Sequence, residues 1–296
     1  MTSFKSGFVN IVGKPNAGKS TLMNQLVGEK LAIITPKAQT TRHRIMGIVS
    51  GEDFQFVFSD TPGMLEPKYD LHESMMDFVY SALDDADVLV IVIDATDKAE
   101  NDAYIAQKIA KSPAKRLVIL NKIDLSNQDA IMARLHQLKL TFGEDAVVIA
   151  TSALHGFNID GLKQEIKQLL PEGPKYFPED EMTDKTERFF ASEMIREKIF
   201  MNLQKEVPYS TEVEILSFKE EENIIRIEAE IYCERSTQKN ILIGTGGSML
   251  KKIGTEARKD MELFWGKKIY LGMHVKVLEG WRSDRLKLKR FGYLQG

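Results

Sequence analysis

Apolar residues enter this chain first as short unbroken runs and later as alternating ones, and the change divides the sequence. Residues 7–12, 88–94, 117–120 and 146–150 are continuous apolar runs too short for helices, the character of strands buried on both faces. Residues 45–50 and 54–59 are strand-like runs on either side of Gly51-Glu52-Asp53, a hairpin turn. Helical periods occupy 21–26, 71–83, 101–111, 127–140 and 162–170. Strands alternating with helices predict a mostly parallel sheet covered on both faces, with ligands outside the carboxyl ends of its strands. Residues 31–41, rich in Thr, Pro and Gln, predict a loop, and 64–69 an irregular stretch. Pro171-Glu172-Gly173-Pro174 stops the last of these helices. The segment 171–185, with Pro178 and the acidic Glu179-Asp180-Glu181, predicts an exposed linker.

Beyond the linker the pattern becomes that of an α+β unit. It predicts an amphipathic helix over 186–206, a hairpin of 211–219 and 223–234 about Glu220-Glu221-Glu222, two helices flanking Gly244-Thr245-Gly246-Gly247, and a last strand over 267–278. No segment repeats another. The expected organisation is an α/β domain over 1–170, a linker over 171–185 and a second domain over 186–296, and a chain of 296 residues is long enough for two cores.

Charge changes this picture only through its distribution. The whole chain holds 40 Lys and Arg against 43 Asp and Glu, which favours no polyanionic partner. From Arg235 onward, however, 14 basic residues face 5 acidic ones, a net of +9. A charged run is by default a solvated face, so this excess indicates nucleic acid only if a nucleic-acid fold carries it. The single cysteine, Cys233, excludes an intramolecular disulfide and a cysteine metal cluster, and its apolar setting predicts a small buried residue. Met1-Thr2-Ser3-Phe4-Lys5-Ser6 enters the first strand without a signal peptide, and the longest apolar run is far too short to span a bilayer. The expectation is a cytoplasmic protein.

Chemistry enters at the strand ends. Gly13-Lys14-Pro15-Asn16-Ala17-Gly18-Lys19-Ser20 fits G-x-x-x-x-G-K-[ST] between a strand and the helix that Thr21 continues. Such a loop turns successive backbone N–H groups and a helix N-terminus toward one anion, while Lys19 reaches the outer phosphates and Ser20 offers a hydroxyl to Mg²⁺. Alone, the match also fits a Gly-rich turn. Asp60-Thr61-Pro62-Gly63 adds a carboxylate that can hold Mg²⁺ through water and an amide, at Gly63, that no side chain keeps from the terminal phosphate. Asn121-Lys122-Ile123-Asp124 selects the base, because a carboxylate accepts parallel hydrogen bonds from N1–H and the 2-amino group of guanine, and adenine has no such donor pair. Thr151-Ser152-Ala153 would bring a backbone N–H to guanine O6. Asp60-Thr61-Pro62-Gly63 and Asn121-Lys122-Ile123-Asp124 can each also be ordinary turns. In this order, all at strand ends, the set matches that of Ras-like GTPases, and ATP-binding P-loop proteins lack the Asn-Lys-x-Asp element.

The resemblance narrows further. Gly13 to Ser20 resembles the Gly-x-Pro-Asn-x-Gly-Lys-Ser form of bacterial ribosome-assembly and RNA-modification GTPases, and Ala38-Gln39-Thr40-Thr41-Arg42-His43-Arg44 resembles the first switch of the Era family. The resemblance implies that Thr41, or Thr40 within the doublet, closes on Mg²⁺ and the γ-phosphate, so that Ser20, Thr41 and Asp60 form the metal set. Where Ras-like enzymes place a water-orienting glutamine this chain has Met64, and a thioether cannot orient a water. Similar GTPases with an asparagine at the position of Asn16 bind K⁺ there, so Asn16 either holds K⁺ or shapes the loop. The implied catalytic set is Asn16, Lys19, Thr41 and Gly63.

Ile243-Gly244-Thr245-Gly246-Gly247-Ser248-Met249-Leu250-Lys251-Lys252-Ile253-Gly254 resembles the G-x-x-G helix–loop–helix of KH domains, in the prokaryotic, type II order. By itself G-x-x-G also fits a helix C-cap. Many KH loops carry a cation between the glycines; here Thr245 and Gly246 stand there, which leaves Lys251 and Lys252 to supply charge. The basic tail over 280–290 is either a solvated helix end or a further RNA contact.

The expected fold is thus a Ras-like P-loop GTPase domain with a mostly parallel sheet, followed by a type II KH domain. The expected function is a switch that hydrolyses GTP to GDP. From the resemblance alone come binding to the 3′ end of small-subunit (16S) ribosomal RNA, a role in maturation of the small ribosomal subunit, and peripheral association with the inner face of the cell membrane. Two other classes fit: an RNA-binding adaptor with GTP as a structural ligand, which Met64 leaves open, and a GTPase serving an RNA-modifying partner, for which nothing resembles a modification site.

Overall fold

A computed structural model describes residues 4–143 and 145–294, and these form two compact units. The first runs to Asp184 without Lys68–Leu71, which group with the described residues from Lys185 onward. Met1, Thr2 and Ser3, part of the leaderless start expected above, lie outside the described residues.

The first unit follows the predicted alternation. Its elements are β1 (Lys5–Gly13), α1 (Lys19–Val27), β2 (Ile45–Ser50), β3 (Phe54–Asp60), α2 (Asp70–Asp84), β4 (Val88–Asp94), α3 (Glu100–Ile109), β5 (Lys115–Asn121), α4 (Gln128–Phe142), β6 (Val147–Ala150) and α5 (Ile159–Leu169). Six strands lie in the order β2-β3-β1-β4-β5-β6, parallel except for the hairpin of β2 with β3. From β1 the chain builds outward on one side to β3 and then on the other to β4, so β1 ends at the point where the strand order reverses. That is where open α/β sheets form their ligand crevice. The unbroken apolar run of β4 is explained by position: Val88 to Ile93 are at most 3% exposed in the middle of the sheet. Burying each such side chain stabilises by roughly 1.5–3 kcal/mol, which is why no polar residue interrupts the run.

Residues 171–184, expected as an exposed linker, are largely exposed but also hydrogen-bonded to the sheet. Gln55, fully buried on β3, accepts from the N–H groups of Tyr176 (2.7 Å) and Phe177 (3.0 Å) and donates to Phe177 O (2.8 Å). Farther along, Ile48 N–H donates to Met182 O at 2.9 Å, and the Thr183 hydroxyl to Met46 O at 2.7 Å. The segment therefore covers the open edge of β2, whose backbone groups need partners. Proline and acidic residues reported side-chain exposure, which many of these residues do have, but not the destination of backbone hydrogen bonds.

The second unit comprises α6 (Glu187–Asn202), β7 (Glu212–Glu220), β8 (Ile224–Cys233), α7 (Ser236–Ile243), α8 (Ser248–Trp265), β9 (Lys268–Val277) and α9 (Arg285–Arg290). Its sheet has the order β7-β8-β9, antiparallel in the hairpin and parallel between β8 and β9. A parallel pair needs a crossover, and α7 with α8 provides it. Ile195, Ile199, Leu242, Ile253 and Ala257 pack with Ile225, Ile227 and Ile231 in one core, which also contains Cys233. Burial raises the Cys233 thiol above its ordinary range. The helix predicted to run to 206 ends at Asn202 because Leu203 turns to an extended backbone and is buried. No helix among the described residues is long and apolar enough to cross a membrane.

Candidate functional site

The landmarks of the first unit meet beyond the carboxyl ends of β1, β3, β5 and β6. Gly13 ends β1, the loop from Lys14 to Ala17 follows, and Gly18 caps α1 with φ +97°, a conformation that L side chains rarely adopt. A Cβ there would also lie 2.2 Å from Asn121 Nδ2. Asn121 uses that amide to donate to Ala17 O (2.9 Å), while its Oδ1 accepts from Ala153 N–H (2.9 Å). One side chain thus braces the phosphate loop against the loop after β6. Ser152 N–H is donated to Phe157 O at 3.4 Å, so the amides of Ser152 and Ala153 both hold the loop rather than standing bare.

Lys19 and Ser20 open α1, followed by Thr21. Lys19 is buried, its Nζ donating to Lys14 O (2.8 Å), and burial pulls its ammonium down to about 8 against the opposing attraction of Asp60. Ser20 Oγ donates to Asp60 Oδ2 (2.6 Å) and lies 2.8 Å from Thr41 Oγ1, which itself reaches Asp60 Oδ2 at 3.3 Å. Of the threonine doublet, Thr41 joins this cluster, whereas Thr40 Oγ1 donates to Lys37 O (2.8 Å). Asp60 Oδ1 is buried without a hydrogen-bond partner. Burial is the largest influence on Asp60 and raises its carboxyl, with Lys19, Ser20 and Thr41 opposing. Two hydroxyls and a carboxylate with one oxygen unsatisfied form a hard-oxygen donor set that suits Mg²⁺.

Asp60-Thr61-Pro62-Gly63 lies directly against the phosphate loop. Thr61 Oγ1 donates to Ile11 O (2.7 Å), Met64 N–H to Gly13 O (3.0 Å), and a Cβ on Gly63 would lie 2.5 Å from Pro15 N. Met64 itself is 2% exposed and packs with Met76 and Val79 in the core, so its side chain supplies no group to the site. Asn16 is exposed, has φ +64° and donates from Nδ2 to Pro36 O (3.3 Å) in the loop leading to Thr41. At the base end, Asp124 Oδ1 accepts from Ser152 Oγ at 2.5 Å, and His155 Nε2 lies 3.8 Å from its Oδ2. Lys122 has φ +62° and pairs with Asp94 at 2.6 Å. Asp94 escaped the sequence: an aspartate ending a strand looks like a turn residue until the β4–β5 register is known.

The second unit has a groove of about 580 Å³ between α8 and β9. Gly247, Leu250, Lys251, Gly254, Thr255 and Arg258 form one wall; Ile269, Tyr270, Leu271 and Met273 form the other. An apolar floor with two cations suits unstacked bases and their phosphates. Gly244, Gly246 and Gly247 take positive φ, and Thr245 and Ser248 are exposed beside them. Ile243 instead packs against the core, and Lys252 stands 4.0 Å from Glu256 rather than lining the groove. Arg258 and Tyr270 were missed; the spacing Lys251, Thr255, Arg258 along one helix face was the available signal. The basic tail is tied down within its own unit. Arg282 Nε donates to Glu234 (3.0 Å), Arg290 Nε to Glu214 (3.1 Å), and Trp281 and Leu288 are fully buried.

Known proteins share both halves. Residues 8–122 match the family model described as a 50S ribosome-binding GTPase, and 206–282 that of the KH domain. GTPase Era of Caldicellulosiruptor saccharolyticus is 44% identical over 297 aligned positions, 98% of each chain. GTPase Era of Syntrophus aciditrophicus is 45% identical, over 98% of this chain and 95% of its own. Among solved structures, Era in complex with MgGDPNP and nucleotides 1506–1542 of 16S ribosomal RNA superposes with a TM-score of 0.94 at 39% identity, covering 99% of this chain and 100% of that one. An Aquifex aeolicus Era variant bound to GDP and AlF₄⁻ matches with the same TM-score and identity.

Proposed function

The chain belongs to the Era family of GTPases, and from that premise we propose a GTP-hydrolysing switch that binds the 3′ end of small-subunit ribosomal RNA through its KH domain and assists maturation of that subunit. The observation that carries the nucleotide half is the cluster of Ser20 Oγ and Thr41 Oγ1 on Asp60 Oδ2, with the other oxygen of that carboxylate, Oδ1, buried and unpartnered, and with Lys19 buried and attracted to Asp60. Ser20, Thr41 and Asp60 would hold Mg²⁺, which when bound neutralises charge on the transferring phosphoryl group. The same ion accompanies the nucleotide analogue in the Era complex with the 16S fragment.

The backbone from Gly13 to Thr21 encloses the phosphates, and Lys19 meets them as a cation. Its lowered affinity for a proton in the bare protein is reversed by a neighbouring anion. Gly63 N–H faces the terminal phosphate, with Thr61 and Pro62 fixing the turn that carries it. Loss of that phosphate removes the anchor common to Thr41 and Gly63, releasing both segments. Asn121 holds the two loops together, and Asp124 reads guanine with Ser152 and Ala153 shaping its loop. With Met64 in the core, no side chain at that position orients water, so slow intrinsic turnover is expected, and Asn16 would hold K⁺, which would supply the missing charge. Equal turnover in Na⁺ and K⁺ buffers would remove that role.

The groove with Lys251, Arg258 and Tyr270, beside the loop from Gly244 to Ser248, would receive single-stranded RNA. The ribosomal fragment in the Era complex supports that partner. Peripheral membrane contact is part of the same reading and rests on the family alone. The base assignment is tested by Asp124→Asn, which is expected to exchange guanine for xanthine preference, since an amide donor pairs with the 2-carbonyl of xanthine. Retained preference for GTP would overturn it.

A further inference from the structure

β4 and β5 end side by side, with Asp94 opposite Asn121 and Ala95 N–H donating to Asn121 O at 2.9 Å. Directly after β5, Lys122 turns into the left-handed region, φ +62° and ψ +35°, although it is not glycine. A non-glycine residue held there stores about 1–3 kcal/mol of strain, and such strain persists only where the surroundings enforce it. Backbone hydrogen bonds enforce the turn, Leu125 N–H donating to Lys122 O at 3.0 Å and Ile123 N–H to Thr151 O at 3.3 Å, while the side chain is tied separately, Lys122 Nζ to Asp94 Oδ2 at 2.6 Å. The carboxylate is itself held, because Asp94 Oδ1 accepts from Thr96 N–H (2.8 Å) and Thr96 Oγ1 (2.7 Å). Burial works to raise the Asp94 carboxyl, but the hydrogen bonds from Lys122 and Thr96 together keep it below the ordinary carboxylate range, so it remains a charged anchor. The same turn also carries Asp97, 4.0 Å from Lys14 of the phosphate loop.

We propose that Asp94, oriented by Thr96, is the positioning residue for Lys122 and thereby sets how tightly the protein holds guanine nucleotide. The inference rests on the assignment of Asn121 to Asp124 as the base site. A free lysine has about 2 kcal/mol of side-chain entropy to lose on docking. With the ammonium already tied to Asp94, the methylene stem is held before nucleotide binds, and that preorganisation slows release. Asp94 touches no substrate; it acts through Lys122.

The test is the release rate of a fluorescent GDP analogue, read together with KM and kcat for GTP. Asp94→Asn keeps the acceptor for Thr96 but loses the charge. It is expected to speed GDP release and raise KM about tenfold, the loss of one charge-assisted hydrogen bond, with most of the effect on KM rather than kcat. Lys122→Met keeps the stem and removes the ammonium, and in that background Asp94→Asn should change nothing further. Thr96→Val, which removes one donor to the carboxylate, gives a milder variant with a smaller acceleration. Unchanged release in Asp94→Asn, or additive effects in the double variant, would overturn the inference. Wild-type protein with no preference for GDP over XDP would instead overturn the base assignment itself.

Discussion

At Gly18 the phosphate loop depends on a side chain far along the chain, since a Cβ would meet Asn121 Nδ2 at 2.2 Å. Gly18→Ala combines that collision with a positive φ, and the strain alone is about 1–3 kcal/mol. The expected outcome is loss of GDP binding by calorimetry, and unchanged affinity would contradict the geometry. Residue identities at the site were legible where spacing is local: Lys19 and Ser20 follow their glycine, Asp60 ends a strand, and Asp124 stands three residues after the end of another. Other positions depend on loop closure, which no spacing encodes. Thr41 rather than Thr40 reaches Asp60, and Met64 turns into the core. Asp94 needed the register of two strands.

Among elements, the strands of the first unit were readable because burial on both faces leaves an unbroken apolar run. The second unit was readable in order though not in every boundary, since α6 ends where Leu203 enters the core. The exposure of residues 171–184 was legible but their attachment was not, because it comes through backbone groups and one buried amide. Gln55→Ala leaves the N–H groups of Tyr176 and Phe177 without their acceptor and should cost about 1–3 kcal/mol of stability. Hydrogen exchange should quicken over 176–184 while β4 and β5 remain protected. Unaltered protection of that segment would show that the edge of β2 holds it without Gln55.

For the whole molecule, a net charge of −3 conceals the basic excess from Arg235 onward, and the groove gives that excess a direction. Lys251→Ala and Arg258→Ala should each weaken RNA binding and lower the slope of log affinity against log salt by about one. Arg290→Ala, whose guanidinium is engaged by Glu214, should leave that slope unchanged. If the Lys251 and Arg258 variants keep the wild-type slope, the groove is not where phosphates bind. The central claim joins the two units: a GTPase whose cycle responds to RNA. It is tested most directly by GTP turnover of the intact chain in K⁺ buffer, with and without RNA bearing the 3′ end of small-subunit ribosomal RNA. Slow turnover that this RNA accelerates is the expected result. Turnover absent under every condition, or present and indifferent to the RNA, would contradict the claim and leave an RNA-binding adaptor with a bound nucleotide in the first case and two uncoupled activities in the second.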